Sequence, residues 1–293
     1  MGDARRFSDV TMKASHNTYD INWPLATMTA SGGWSFPVYE AGCRAVELDI
    51  GQYGGPDPGR QMQWSVQHGG DFNLHFRQLS QFLAELRGWS DATRDHDVVT
   101  LFICLKGIVD RGSFPDLLDR YIAQFLCGND LDRLYRPVDL LAGSGADNLR
   151  AAAKKKGWAT LDEMRGRFLL VMTGFHASLA HYAASPKDRL GFACIDCTDD
   201  EVSPATYIDG KPNQLFLNYH LFGDHRKTWV PACTSFRNDP SVLYRGYLVQ
   251  DGWWDVAADA GIHMLASDNI HHPWTTPFRL RPGGRDAGRD DRV

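Results

Sequence analysis

Nowhere in its 293 residues does the chain hold an apolar run approaching the roughly 20 residues that cross a bilayer. That excludes a helical membrane span. A soluble chain is expected, either cytoplasmic or secreted with its leader removed, because Met1-Gly2-Asp3-Ala4-Arg5-Arg6 contains no apolar signal region. Cysteine is scarce as well. The six residues Cys43, Cys104, Cys127, Cys194, Cys197 and Cys233 are too scattered for a disulfide scaffold, and Cys194-Ile195-Asp196-Cys197 has no second pair to complete a zinc site. Partly buried thiols are expected instead. Net positive charge is missing too: at −5 the whole-molecule field does not favour wrapping nucleic acid. No internal repeat is visible, which excludes solenoids and propellers.

What is present is the composition of an ordinary globular protein, 43% hydrophobic and 23% charged, enough for one large domain. Strand-like runs recur at Val10–Ala14, Arg44–Ile50, Met62–Gln67, Val98–Leu105, Phe168–Met172, Phe192–Ile195, Gln214–Asn218, Tyr244–Val249 and His263–Ala266. Helical faces lie between them. Leu74, Leu79, Phe82, Leu83 and Leu86 mark one, and Phe114, Leu117, Leu118, Tyr121, Ile122 and Phe125 another. Eight or nine strands alternating with helices predict an α/β fold, a distorted TIM-type (β/α)8 barrel. Residues 1–282 form this single domain, with 127–158 read as an insertion, while the Arg-, Asp- and Gly-rich stretch 283–293 is expected to be a disordered tail.

In such a barrel the active site lies at the C-terminal ends of the strands. His16 and Asn17 follow the first strand, Glu47 and Asp49 end the second, and His68 closes the third. Glu47 and Asp49 sit two apart, on one face of a strand whose other residues, Ala45, Val46, Leu48 and Ile50, are apolar. Burying unpaired carboxylates there is costly, which makes a functional role the better explanation. Two imidazoles can move protons near neutral pH, and an amide oxygen with two carboxylates can hold a hard divalent cation. The chemistry that fits is intramolecular displacement at phosphorus. One histidine acts as general base on an attacking hydroxyl, the other as general acid on the leaving oxygen, and the cation neutralises the non-bridging oxygens. Taken alone, His16 or His68 reads as an ordinary surface or core residue, so the weight rests on the joint placement.

The segments Ala14-Ser15-His16-Asn17-Thr18-Tyr19, Ala41 through Asp49, and Gln67-His68-Gly69 resemble the X-domain signature of phosphatidylinositol-specific phospholipase C enzymes. Gly157 through Leu161, Arg165-Gly166-Arg167, and Ala258 to Asp268 are similar to the bacterial calcium-dependent branch. The resemblance covers most of residues 8–282 and is strongest before 110. It implies His16 and His68 as the acid/base pair and Asn17, Glu47 and Asp49 as ligands of a divalent cation, calcium first and magnesium second. It further implies a phosphodiester substrate, a phospholipid or its head-group derivative, with peripheral membrane contact.

One departure stands out: Val98 to Lys106 carries no carboxylate where the calcium-dependent eukaryotic enzymes supply a further glutamate. Lys106 at its end is either a phosphate-contacting catalytic cation or a charge that partly replaces the metal. This strand end, with Ala266-Ser267-Asp268-Asn269 and Pro273-Trp274, also resembles sphingomyelinase D and the glycerophosphodiesterases, although Cys104 stands where those enzymes place a carboxylate. Phospholipase D-like or glycerophosphodiesterase activity is therefore an alternative. A catalytically idle barrel that binds a phosphorylated small molecule is another. Asp196, His220 and Asp268 end later strands and are weaker candidates for substrate contact, as is Trp254 in an expected loop, each against a structural role.

Overall fold

The computed structural model describes residues 3–21, 27–53, 63–66, 68, 78–108, 112–174, 176–197, 204–271, 274 and 277–282. Several expectations fall outside them: Met62, Gln67, Gly69 and Gly70 around the third expected strand, Leu74 of the first helical face, Pro273, and the whole 283–293 tail.

Apolar, β-branched runs form the strands, in chain order β1 (Val10–Ser15), β2 (Thr27–Met28), β3 (Trp34–Ser35), β4 (Cys43–Tyr53), β5 (Gln63–Val66), β6 (Val99–Gly107), β7 (Phe168–Gly174), β8 (Phe192–Cys197), β9 (Gln214–His220), β10 (Leu243–Tyr247), β11 (Met264–Ser267) and β12 (Phe278–Leu280). Eight of them, β1, β4, β6, β7, β8, β9, β10 and β11, pair in parallel with their neighbours. Pairing between β1 and β4 closes the ring. The expected barrel is the observed one, a closed eight-stranded parallel barrel surrounded by helices. Its distortion lies in register shifts at Lys13/Ala14, Ile50/Gly51 and Ala193/Cys194.

The third expected strand needs correction. β5 does not enter the barrel; it returns antiparallel along β4, pairing Val66 with Ile50 and Trp64 with Gln52. Each step forward along β5 is thus a step back along β4, and His68, two residues past Val66, arrives beside Asp49 from a strand antiparallel to β4 and not from a third parallel barrel strand. β12 is also outside the ring, antiparallel to β1.

Strand alternation divides the interior from the helical layer. Val46, Leu48 and Ile50 of β4 and Val99, Leu101, Ile103 and Leu105 of β6 pack outward against the helices Leu79–Ala92 and Phe114–Phe125 through Leu79, Phe82, Leu83, Leu86, Phe114, Leu118 and Ile122. Facing inward at the N-terminal end are Met12, Ala45, Phe102, Val171, Phe192, Phe216, Leu243 and Met264, an apolar plug. From segment 127–158, Tyr135, Leu140, Leu149, Ala152 and Trp158 close the floor beneath that plug. Further along the same inward positions the residues become Glu47, Asp49, Cys104, Asp196, Asn218 and Arg245, all at least partly buried. The barrel is apolar at one end and ionised at the other.

Candidate active site

Two buried carboxylates on β4 form the centre. Glu47 takes its position from both sides of the chain: its N–H donates to Thr18 Oγ1 at 2.9 Å, and its Oε2 accepts from the Asn17 N–H at 3.2 Å. Asn17 adopts φ +40°, the left-handed turn that ends β1 and brings that N–H round. Glu47 Oε2 also accepts from Arg245 Nη2 at 2.7 Å, and His16 Nε2 stands 3.9 Å away. Burial alone would push the Glu47 carboxyl up, but the Arg245 guanidinium, His16 and the Asn17 N–H outweigh it and hold the group below its ordinary range.

Asp49 behaves in the opposite way. Its Oδ2 accepts from the Tyr19 hydroxyl at 3.0 Å and lies 3.4 Å from Lys106 Nζ and 3.8 Å from His68 Nε2. Oδ1 is buried without a partner. Burial and the neighbouring Glu47 charge raise the Asp49 carboxyl despite Lys106, Tyr19 and His68. Burial works against the Lys106 ammonium, yet Cys104, Asp49 and Glu47 carry its pKa upward, so it stays charged.

The two histidines differ in setting. His16 is largely enclosed: Nδ1 pairs with Asp268 Oδ1 at 2.8 Å, and the ring stacks on Tyr247, centroids 5.7 Å apart. Tyr247 is in turn stacked against His220 at 5.2 Å, which puts His220 on the same rim. His68 is open, with 55% of its side chain exposed. A chain of buried polar groups supports the wall opposite β4. Arg245 Nη1 donates to Asn218 Oδ1 at 2.8 Å, Asn218 Nδ2 donates to Asp196 Oδ1 at 2.8 Å, and the Gly174 N–H donates to Asp196 Oδ2 at 2.7 Å. Gly174 is required there: at φ +112° a Cβ would meet the Leu105 carbonyl oxygen at 2.5 Å.

The structure therefore brings His16, Asn17, Glu47, Asp49, His68 and Lys106 to one rim, with Asp268 on His16 and His220 beyond Tyr247. Asp196 is engaged inside the wall by Asn218 and Gly174. Trp254 opens the helix Trp254–Asp259 instead of sitting in a loop, and at 2% exposure it packs against Trp274 and away from the rim. Sequence reasoning missed Arg245, Asn218, Tyr247 and, as a donor, Cys104. Arg245 and Asn218 carried the signal used for Glu47, a polar group inside an apolar strand. Cys104 was read only as a missing carboxylate, although it is directly in register with Asp49. Its thiol lies with Glu47 and Asp49 in a set of ligand atoms all within 4.8 Å of one another.

No family model matches the chain, and no curated protein matches it. Solved structures do. The fold is similar to a calcium-dependent phosphatidylinositol-specific phospholipase C from Streptomyces antibioticus, with 17% identity, TM-score 0.73, and 96% of this chain and 100% of that one covered. It is also similar to a calcium-dependent phosphoinositol-specific phospholipase C from the Gram-negative bacterium Pseudomonas sp. in a myo-inositol complex: 19% identity, TM-score 0.72, 95% of this chain and 96% of that one. One apo crystal form of the Pseudomonas enzyme gives 18% identity, TM-score 0.70, and 94% and 95% coverage. Identities this low carry the fold, and the shared fold runs nearly end to end.

Proposed function

We propose that the chain is a phosphodiesterase of the phospholipase C type, cleaving by attack of a substrate hydroxyl on its own phosphorus. The observation that carries this reading is the convergence of His16, held by Asp268, and His68 on a rim that also presents Glu47, Asp49 and Lys106. The Asp268 carboxylate accepts from His16 Nδ1–H, a tautomer inferred from the hydrogen bond, and leaves Nε2 free to take the proton of the attacking hydroxyl. As the new O–P bond forms, the bond from phosphorus to the leaving oxygen breaks. His68, the open member of the pair, donates a proton to that oxygen. The products are a cyclic phosphodiester and a free alcohol. Lys106, charged at the mouth, faces the non-bridging oxygens.

A divalent cation fits this pocket. The partnerless, buried Asp49 Oδ1 and the adjacent Glu47 make a donor set, with Asn17 bound to Glu47 through its backbone N–H. When bound, such an ion would neutralise charge developing on the phosphoryl oxygens. The substrate class is a phospholipid or its soluble head-group diester carrying a hydroxyl next to the phosphate. No helix of the described residues is long and apolar enough to cross a membrane. Phe222, 50% exposed and stacked on His220, gives the rim an apolar tip suited to peripheral membrane contact. Phosphorus NMR of the products tests the reading: a cyclic phosphodiester on the released head group supports it. A lipid phosphate, linear or cyclic, or a glycerol phosphate would shift it to phospholipase D-like or glycerophosphodiesterase chemistry. No turnover of any phosphodiester would indicate the idle barrel.

A further inference from the structure

Cys104 occupies the barrel interior opposite Asp49 in the β4–β6 ladder, 7% exposed and unpaired with any other cysteine. Its sulfur belongs to the one group of potential metal donors among the described residues, with Glu47 and Asp49. The buried, partnerless Asp49 Oδ1 is the second observation, a ligand atom with nothing to bind. Both carboxylates already face a resident cation, Glu47 meeting Arg245 at 2.7 Å and Asp49 meeting Lys106 at 3.4 Å. Those four charges sum to zero. A divalent ion placed among them would bring two uncompensated charges into a buried site. The Cys104 sulfur, within 4.8 Å of a donor oxygen of each carboxylate, is the further ligand that metal binding would recruit.

Ligand chemistry then decides which ion enters. Calcium takes six to eight oxygens in an open shell, and magnesium holds a strict octahedron of oxygens and water. Here two carboxylates are shared with cations and the third donor is sulfur. Thiolate selects borderline and soft ions that accept about four ligands. We propose that Cys104 is a metal ligand that, with Glu47 and Asp49, makes this a thiolate–carboxylate site selective for thiophilic divalent ions over calcium and magnesium. The binding step balances as the thiol proton passing to solvent while a sulfur–metal bond forms. This rests on the reading that the pocket holds a divalent cation, and departs from the calcium expectation of the sequence.

Cadmium and zinc are the probes. Titrating the whole protein with cadmium should produce sulfur-to-metal charge-transfer absorption in the ultraviolet, and zinc should compete it away while calcium in large excess does not. Cys104→Ser should remove the band and weaken cadmium and zinc by about tenfold or more, with Cys127→Ser, distant from the pocket, as the control that leaves both unchanged. Cys104→Asp, close in size and anionic with hard oxygen, should reverse the preference toward calcium, and it also covers the case in which the serine variant misfolds. A band that survives in Cys104→Ser, or wild-type protein that prefers calcium to zinc, overturns the proposal. The two readings fail separately. Calcium-supported cleavage with no cadmium band removes the Cys104 site and leaves the phosphodiesterase; a Cys104-dependent band with no cleavage under any ion does the reverse.

Discussion

Arg245 Nη2 lies 2.7 Å from Glu47 Oε2, a fully buried ion pair that ties β10 to β4 across the barrel, between residues 198 positions apart. Its energetic meaning follows from burial. Removing one member leaves the other charge unpaired in a site that water does not reach, so Arg245→Met should cost about 3–5 kcal/mol of stability. The double variant Arg245→Met/Glu47→Gln should recover much of that loss, since no bare charge remains. Denaturant unfolding of the three proteins checks it. A single variant as stable as the parent would mean that the pair adds nothing.

Proton transfer is the next test. His16→Ala and His68→Ala should each lower kcat by about two to four orders of magnitude. Asp268→Asn should act through His16, lowering kcat by between about tenfold and 10⁴-fold and changing the pH–rate profile with little change in KM. If Asp268→Asn left both kcat and the profile untouched, the 2.8 Å contact would be structural only.

How far the sequence discloses this site depends on the range of each signal. Local alternation is short-range information, and Val10–Ala14, Val98–Leu105 and Gln214–Asn218 all lie within observed strands or one residue outside them. Partner choice is long-range. The run ending at Gln67 reads as a strand from its own residues, but nothing local distinguishes a ninth strand folded back on β4 from a third barrel strand. The same holds at the rim. Glu47 and Asp49 stand out as polar groups among apolar neighbours, whereas Arg245 becomes meaningful only once the closed ring places it against Glu47. Cys104 is the subtler case: an apolar-looking residue in an apolar strand shows itself as a donor only when its register with Asp49 is known.

The two carboxylates should respond to pH with opposite signs. Glu47 is held below its ordinary value, so its contribution to stability is fully present above the unfolded carboxylate pKa of about 4.3 and is lost as pH falls through the lower folded value. Asp49 is raised by burial and by Glu47, so ionising it costs stability as pH rises from about 3.9 through its higher folded value. Asp49→Asn should therefore stabilise the protein at neutral pH by roughly 0.5–2 kcal/mol while abolishing metal binding and lowering turnover. Glu47→Gln should instead destabilise at neutral pH and flatten the acid limb of the stability curve. Thermal unfolding across pH 3 to about pH 8 separates them; equal effects of the two variants would contradict the assigned shifts.

The proposed membrane contact is tested at Phe222. A half-exposed phenylalanine at the rim, stacked on His220, loses little if water surrounds it and gains apolar burial if it enters the lipid interface. Full burial of such a side chain is worth about 1.5–3 kcal/mol, or roughly 10- to 150-fold in partitioning. Phe222→Ser should accordingly weaken sedimentation with phospholipid vesicles by a factor toward the lower end of that range, because half of the ring is already covered. Turnover of a short-chain, fully soluble diester should stay within about twofold, since His16, His68 and Asp268 do not depend on that tip. Equal losses on vesicles and on the soluble diester would place Phe222 in the pocket architecture. Unchanged vesicle binding would remove the rim from the membrane surface altogether.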